Sequence, residues 1–375
     1  MEVLIFSRSL DQLNKNIVST SSEIFEIEFA QALSNYSKVS IVSYKAMYHH
    51  SVNNLNLYPL NNNNTSLARA IHEVINKNDL FKDKKCIVLA FGYELRVLRE
   101  LRKISTNYNY KVKVISFTFD SHKGAIAHKS IFRKVLIDFY FGLGIRYLST
   151  IDAVILFKSE AYKELDLKIP YLISKAGVNE EDILPYIYER SGDTKFKLVY
   201  AGTLIECNSI FVLIDTMRYL HDITGVTLDI YGRGPLLNYV KEASQKNKNI
   251  NYLGLVNNEE IRKAIEKADL LINLRDLNDY VSKFAFPSKI IKYFASGVPV
   301  LTTRVIKDND FDKAAFVCDE LNPKKISEKI LEIIGNPSKQ TEKSIYAKEY
   351  LKNKYLWPDV IEPVYQFCCR LFTPS

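Results

Sequence analysis

No window of about 18 uncharged apolar residues occurs in this chain, so no membrane span is expected. Cysteine is scarce. Cys86, Cys207, Cys318, Cys368 and Cys369 are odd in number and show no ligand spacing, so they indicate neither a disulfide framework nor a zinc site. The adjacent pair Cys368 and Cys369 reads as buried thiols, with acylation as the alternative. Lys and Arg are scattered and carry no RNP, zinc-finger or helix-turn-helix signature, so nucleic acid is not an expected partner. The opening run Met1-Glu2-Val3-Leu4-Ile5-Phe6 lacks a basic n-region and a cleavage site, and reads as a first strand, not a signal peptide. A complete dinucleotide fingerprint is also missing. Gly232-Arg233-Gly234 follows a late strand and precedes Pro235, which argues against NAD.

What is present is enough for two cored domains: 375 residues, 47% of them hydrophobic. The net charge of +8 is a mild basic excess, suited to an anionic membrane surface or a phosphorylated substrate. A cytoplasmic protein is expected, with peripheral contact at the inner face of the membrane as an option.

Strand-like segments at 3–6, 39–43, 86–90, 112–117, 153–157 and 171–173 alternate with helical ones at 23–33, 66–75, 94–104 and 159–165. Such alternation implies a parallel, doubly wound α/β sheet. The polar stretch 53–65 reads as a loop. A break follows Gly177, and a polar segment with Pro185 leads to a fresh strand at Lys197. The same grammar then repeats, with strands at 198–201, 227–231, 270–274 and 300–303 and helices at 210–220, 236–246, 259–267, 288–295 and 325–334. The expected domains are 1–190, completed by 355–375, and 195–354, two Rossmann-like units with a cleft at the strands' carboxyl ends.

The most informative segment is Phe286-Pro287-Ser288-Lys289-Ile290-Ile291-Lys292-Tyr293-Phe294-Ala295-Ser296-Gly297-Val298-Pro299-Val300. Proline suits a helix's first turn, and Gly297 sits where a left-handed C-cap is expected. Ser288 and Lys289 fall at the helix N-terminus, a natural seat for a phosphate. Ahead of it come Val199-Tyr200-Ala201-Gly202-Thr203-Leu204, Ile230-Tyr231-Gly232-Arg233-Gly234-Pro235, Tyr252-Leu253-Gly254 and Ala268-Asp269-Leu270-Leu271-Ile272-Asn273-Leu274-Arg275. In order and spacing these words resemble the nucleotide-sugar-binding half of family 4 glycosyltransferases with the GT-B fold. The match is best to the bacterial polysaccharide branch, whose signature reads like "NPR…FPSK…EY.ASG.PV". Close resemblance covers about 197–303. It implies a hexosyltransferase-like enzyme that takes a nucleotide sugar, UDP-sugar by default and GDP-sugar as the alternative. The acceptor would be lipid-linked or saccharide, in capsule, O-antigen or exopolysaccharide synthesis. Transfer would retain configuration and need no metal, and a last helix, placed at 355–372, would cross back onto the first domain.

A diphosphate asks for backbone N–H groups and one or two cations that stabilise charge on the leaving group. Lys289 is the foremost candidate, with a solvated helix lysine as the bland reading. Arg275 matches the arginine of "NPR", while Leu274 replaces its proline; a salt bridge to Asp276 or Asp279 would be its ordinary role. Gly202 permits a close turn, and Thr203 supplies a hydroxyl beside it. Many family members carry an arginine and a lysine where this chain has Thr203 and Asn208, which shifts the burden to Lys289, Arg275 and Lys283. Gly232 and Arg233 form a turn that the resemblance puts beside the nucleotide. The paired glutamates of many family members, seven residues apart, correspond here to Phe284 and Lys292. An ammonium cannot accept a ribose hydroxyl. Glu206 is then the nearest replacement by sequence, and Lys292 would face a carboxylate or phosphate.

In the first half, Asp120 and His122 follow a strand and are candidates for taking the acceptor's proton or holding the donor sugar. The segment 128–147 mixes Lys129, Arg133, Lys134 and Arg146 with Phe132, Val135, Leu136, Phe139 and Phe141, a pattern suited to a membrane interface and also to a core helix with a basic outer face. Two further readings remain open. One is a degenerate partner protein that binds a nucleotide sugar without catalysis. The other is a nucleotide-sugar 2-epimerase, disfavoured because no cluster of acidic residues and histidines suits proton abstraction.

Overall fold

The structure, a computed structural model, describes residues 1–7, 10, 13, 21–60, 67–78, 80, 85–107, 112–118, 131–185, 188–189, 195–221 and 225–373. It divides into two compact units: Met1–Gly177 with Lys283–Phe286 and Trp357–Ser375, and Val178–Ser282 with Pro287–Leu356.

In the first unit the order is β1 (Glu2–Ser7), α1 (Ser21–Ser34), β2 (Lys38–Ser43), β3 (His50–Val52), β4 (Leu55–Pro59), α2 (Leu67–Lys77), β5 (Cys86–Phe91), α3 (Leu95–Asn107), β6 (Val112–Thr118), α4 (Ile131–Leu148), β7 (Ala153–Leu156), α5 (Ser159–Glu164) and β8 (Tyr171–Ile173). The sheet runs β3-β4-β2-β1-β5-β6-β7-β8, parallel except where β3 meets β4. Its central strands are buried on both faces, hence their nearly continuous Val, Ile and Leu. The stretch 53–65, read as a loop, contains the strand β4. Leu55, Leu57 and Tyr58 are buried there beside β2, and the interleaved asparagines hid the pattern.

The second unit holds β9 (Phe196–Ala201), α6 (Ile210–Tyr219), β10 (Val226–Tyr231), α7 (Leu237–Lys246), β11 (Ile250–Gly254), α8 (Asn258–Glu266), β12 (Leu270–Asn273), α9 (Ser288–Ser296), β13 (Val300–Thr303), α10 (Phe311–Ala314), β14 (Phe316–Cys318), α11 (Pro323–Ile334) and α12 (Pro337–Lys354). All six strands are parallel, in the order β11-β10-β9-β12-β13-β14. Strand order reverses between β9 and β12, the place where open α/β sheets take their ligands. Local chemistry sets the helix starts. Asn257 and Glu260 form a reciprocal capping box on α8, and Asn322 caps α11 ahead of Pro323. Pro287 is the residue before α9, one position earlier than the first-turn place expected of it, and Gly297 closes that helix in the left-handed conformation at φ +72°.

The chain then returns to the first unit as α13 (Trp357–Arg370), which packs on α1. Trp357 lies 5.9 Å from the Phe25 ring and 6.4 Å from Phe29, and Ile361, Val364 and Phe367 join the same core.

Candidate functional site

The site is built from the carboxyl edge of the second sheet. The turns after β9, β10 and β11 are laced together by backbone bonds. Gly202 N donates to Tyr231 O at 3.0 Å, Leu204 N to Arg233 O at 3.0 Å, and Gly232 N to Gly254 O at 2.7 Å. Gly232 has φ +130°, and a Cβ there would collide with the Gly202 carbonyl, so the two turns can touch only because this residue is glycine. The Tyr252 hydroxyl donates to Gly232 O at 3.0 Å and holds the pair from below.

Lys289 is the second residue of α9. Its Nζ lies 4.1 Å from the centre of the ring of Tyr200, the penultimate residue of β9. A Cβ on Gly202 would stand 2.5 Å from that Nζ, so the bare glycine makes room for the amine. The residue as a whole is half-buried, but its amine end is covered. That burial, together with the charge of Arg275, pulls its pKa down to about 7. Among the described residues no carboxylate pairs with Lys289. Tyr200 itself is buried, donates its hydroxyl to Thr203 O at 2.8 Å, and is held protonated by that burial. Tyr293, on α9, accepts from Ala201 N at 3.0 Å and so fixes the helix to the end of β9.

Arg275 follows β12 and is clasped by Thr303, whose hydroxyl accepts from Arg275 N at 3.1 Å and donates to Arg275 O at 2.9 Å. Its Nε donates to Ser282 Oγ at 2.9 Å. The carboxylates of Asp276 and Asp279 are instead turned to backbone N–H groups, of Asn278 and Val281. The Lys289 amine therefore lies in the field of Arg275, a cation that burial makes costly until an anion arrives.

Ser288 is exposed at the start of α9, and Thr203, Glu206, Arg233 and Lys292 are exposed. Asn208 sends its amide to Thr203 O at 2.8 Å, so it braces the turn and presents no cation. Lys283 belongs to the first unit and pairs with Glu164 at 2.9 Å. Phe284 is fully buried. Asp120 and His122 lie outside the described residues. Sequence reasoning passed over Tyr200, although it stands two places before Gly202. It also passed over Ser209, buried at the start of α6 with φ +53° and a hydroxyl that has no partner among the described residues.

Residues 195–336 match the family model described as "Glycosyl transferases group 1". Comparison with curated protein sequences finds no match. Among solved structures the chain is similar to sucrose-phosphate synthase of Thermosynechococcus elongatus, at 12% identity and a TM-score of 0.68 over 100% of both chains. It is similar also to HepE of Anabaena in complex with UDP, at 12% identity and a TM-score of 0.69 over 99% of this chain and 100% of that one. A glycosyltransferase from Rickettsia africae gives 14% identity and a TM-score of 0.68 over 100% and 99%. At such identities the likeness is one of fold. The chain therefore has the GT-B fold, and residues 195–336 match the group 1 glycosyltransferase domain. The matched residues fall mainly in the second unit, and Gly202, Arg275 and Lys289 are among them.

Proposed function

We propose that the chain transfers a sugar from a UDP-sugar to a lipid-linked or saccharide acceptor in cell-surface polysaccharide synthesis, with retention of configuration and no metal. The observation that carries this reading is the Lys289 amine at the Gly202 turn, in the field of Arg275 and with no carboxylate beside it among the described residues. In the transfer, the bond from the sugar's anomeric carbon to the diphosphate breaks and one to the acceptor oxygen forms. Lys289 and Arg275 meet the charge that gathers on the departing diphosphate. Asp120 or His122 takes the acceptor proton or holds the donor sugar. Gly232, Arg233 and Thr203 border the nucleotide, and Ser288 adds the N-terminus of α9. UDP is favoured as the nucleotide because the Anabaena protein of like fold was crystallised with it. Glu206 serves the ribose in place of the carboxylate missing at Lys292.

Turnover against a panel of UDP- and GDP-sugars with lipid-linked acceptor tests this directly. Lys289→Ala is expected to lower kcat/KM by a charge-assisted contact of about 1.5–3 kcal/mol, roughly 10- to 150-fold. Tighter UDP binding by Lys292→Glu, beside a wild type without turnover, would establish the non-catalytic partner instead.

The acceptor's lipid suggests a surface as well. The outward face of α4 carries an apolar stripe, Phe132, Val135, Leu136 and Phe139, with Arg133 beside it. This is the face we assign to an anionic membrane.

A further inference from the structure

Lys289 is held in an unusual way for a cation that must meet a diphosphate. Its amine rests on the face of the Tyr200 ring at 4.1 Å, against the open side of Gly202, and no carboxylate among the described residues neutralises it. The ring's position is itself fixed at both ends. Tyr200 is the penultimate residue of β9, and its hydroxyl donates to Thr203 O at 2.8 Å, a carbonyl that also receives Asn208 Nδ2 at 2.8 Å. Arg275, braced by Thr303 and Ser282, adds a permanent charge to the same neighbourhood. A guanidinium keeps its proton under all ordinary conditions, whereas an amine can give its proton up.

Building on the donor-site reading above, we propose that Tyr200 is a positioning residue that holds the Lys289 amine at the Gly202 turn without a counter-charge, so that an arriving diphosphate fixes a proton on that amine. An aromatic face orients an ammonium without competing for it as a carboxylate would, and the site stays open to the ligand. Burial and Arg275 lower the amine's pKa to about 7 in the empty site, so above that pH the amine is largely neutral. A bound diphosphate brings negative charge and raises that pKa again. Binding then takes up a proton, and affinity falls as pH rises above about 7, approaching tenfold per unit. The groups that set this titration are Lys289, Arg275, the Tyr200 and Tyr293 phenols, which burial keeps protonated, and Cys207.

Calorimetric titration with UDP at pH 8.5, in buffers of different ionisation enthalpy, reads the proton directly. Wild type is expected to take up close to one proton per UDP, and uridine, which lacks phosphate, is expected to bring none. Lys289→Arg should bind UDP without uptake, because its charge is permanent. Tyr200→Phe keeps the ring and should keep the uptake. Tyr200→Leu should lose most of it and bind roughly 2- to 30-fold more weakly. Binding of UDP by wild type with no proton uptake would overturn the proposal while leaving the donor site standing. So would a Phe variant that behaves like Leu, which would mark Tyr200 as acting only through its hydroxyl. Failure of wild type to bind UDP at either pH 6.5 or pH 8.5 would overturn both readings.

Discussion

Glu26 is a buried acid with a strong, specific partner. It sits on α1 against the end of β1, accepts the Ser7 hydroxyl at 2.6 Å, and that hydroxyl in turn accepts Leu10 N at 3.2 Å. Burial pushes its pKa up to about 7; the Ser7 bond opposes that shift and the charge of Glu23 adds to it. Lys45 lies 3.7 Å from Glu23 and moderates the latter's field. A folded-state pKa above the unfolded value means that the native state holds the proton more tightly. The associated stability is full below about pH 4.5 and is lost as pH rises through about 7. Glu26→Gln keeps an acceptor for Ser7 and cannot ionise. It is expected to match wild type near pH 5 and to exceed it at pH 8 by about 1–2 kcal/mol. Urea unfolding at the two pH values measures the difference. An equal effect at both would show that the carboxyl does not titrate in this range.

Helix α4 has two unlike faces. On one side Tyr140 and Phe141 meet α3: the Tyr140 hydroxyl is 3.4 Å from Glu94, and Phe141 packs edge-on to Tyr93 at 5.7 Å. Gly144 lets this face press on the Tyr93 carbonyl. On the other side, Phe132, Val135, Leu136 and Phe139 recur at helical spacing and are 52–73% exposed. That excludes a core helix whose outer face is simply basic, since the outer face carries a large apolar stripe. Phe132→Ser with Phe139→Ser should abolish sedimentation with anionic liposomes while leaving UDP affinity unchanged. Wild-type binding should weaken as salt rises. Equal retention of wild type and variant by the vesicles would discard this face as the contact.

Elements with an apolar period, such as α3 and α9, could be read from the sequence, as could the longer buried strands, whereas the buried β4 and β14 could not. Helix α12 could not. Its buried face is Gln340, Ser344, Ala347, Tyr350 and Leu351, correctly spaced but largely small or polar, so no hydrophobic stripe marks it. Gln340 is buried because its amide donates to Ile333 O at 2.6 Å and its oxygen accepts from the Tyr188 hydroxyl at 3.3 Å. Only the folded chain supplies those partners. Strand β11 lies at the sheet's edge with alternating exposed residues, and its closing Gly254 drew attention to a turn. At the site, the glycine turns and Pro287-Ser288-Lys289 stood out as words. The contact of Lys289 with Tyr200 joins two such words and is a property of the sheet edge.

At the scale of the molecule, each unit has its own core, and the first is completed by residues that arrive last. Trp357 is 3% exposed, packs against Phe25, Phe29 and Gly177, and starts the helix that covers α1. Removing so large a side chain leaves a cavity that neighbouring aromatics cannot fill, at a cost of about 3–5 kcal/mol. That loss belongs to the first unit. The proposed donor site draws on Tyr200, Gly202, Arg275, Ser282, Lys289 and Thr303, every one of them in the second. Trp357→Ala should therefore speed amide exchange in β1, α1 and α13 while β9, β12 and β13 keep their protection. UDP affinity, measured well below the unfolding temperature, should stay within twofold of wild type. Protection lost evenly across both units, or a matching fall in UDP affinity, would show instead that the second unit depends on the first for its stability.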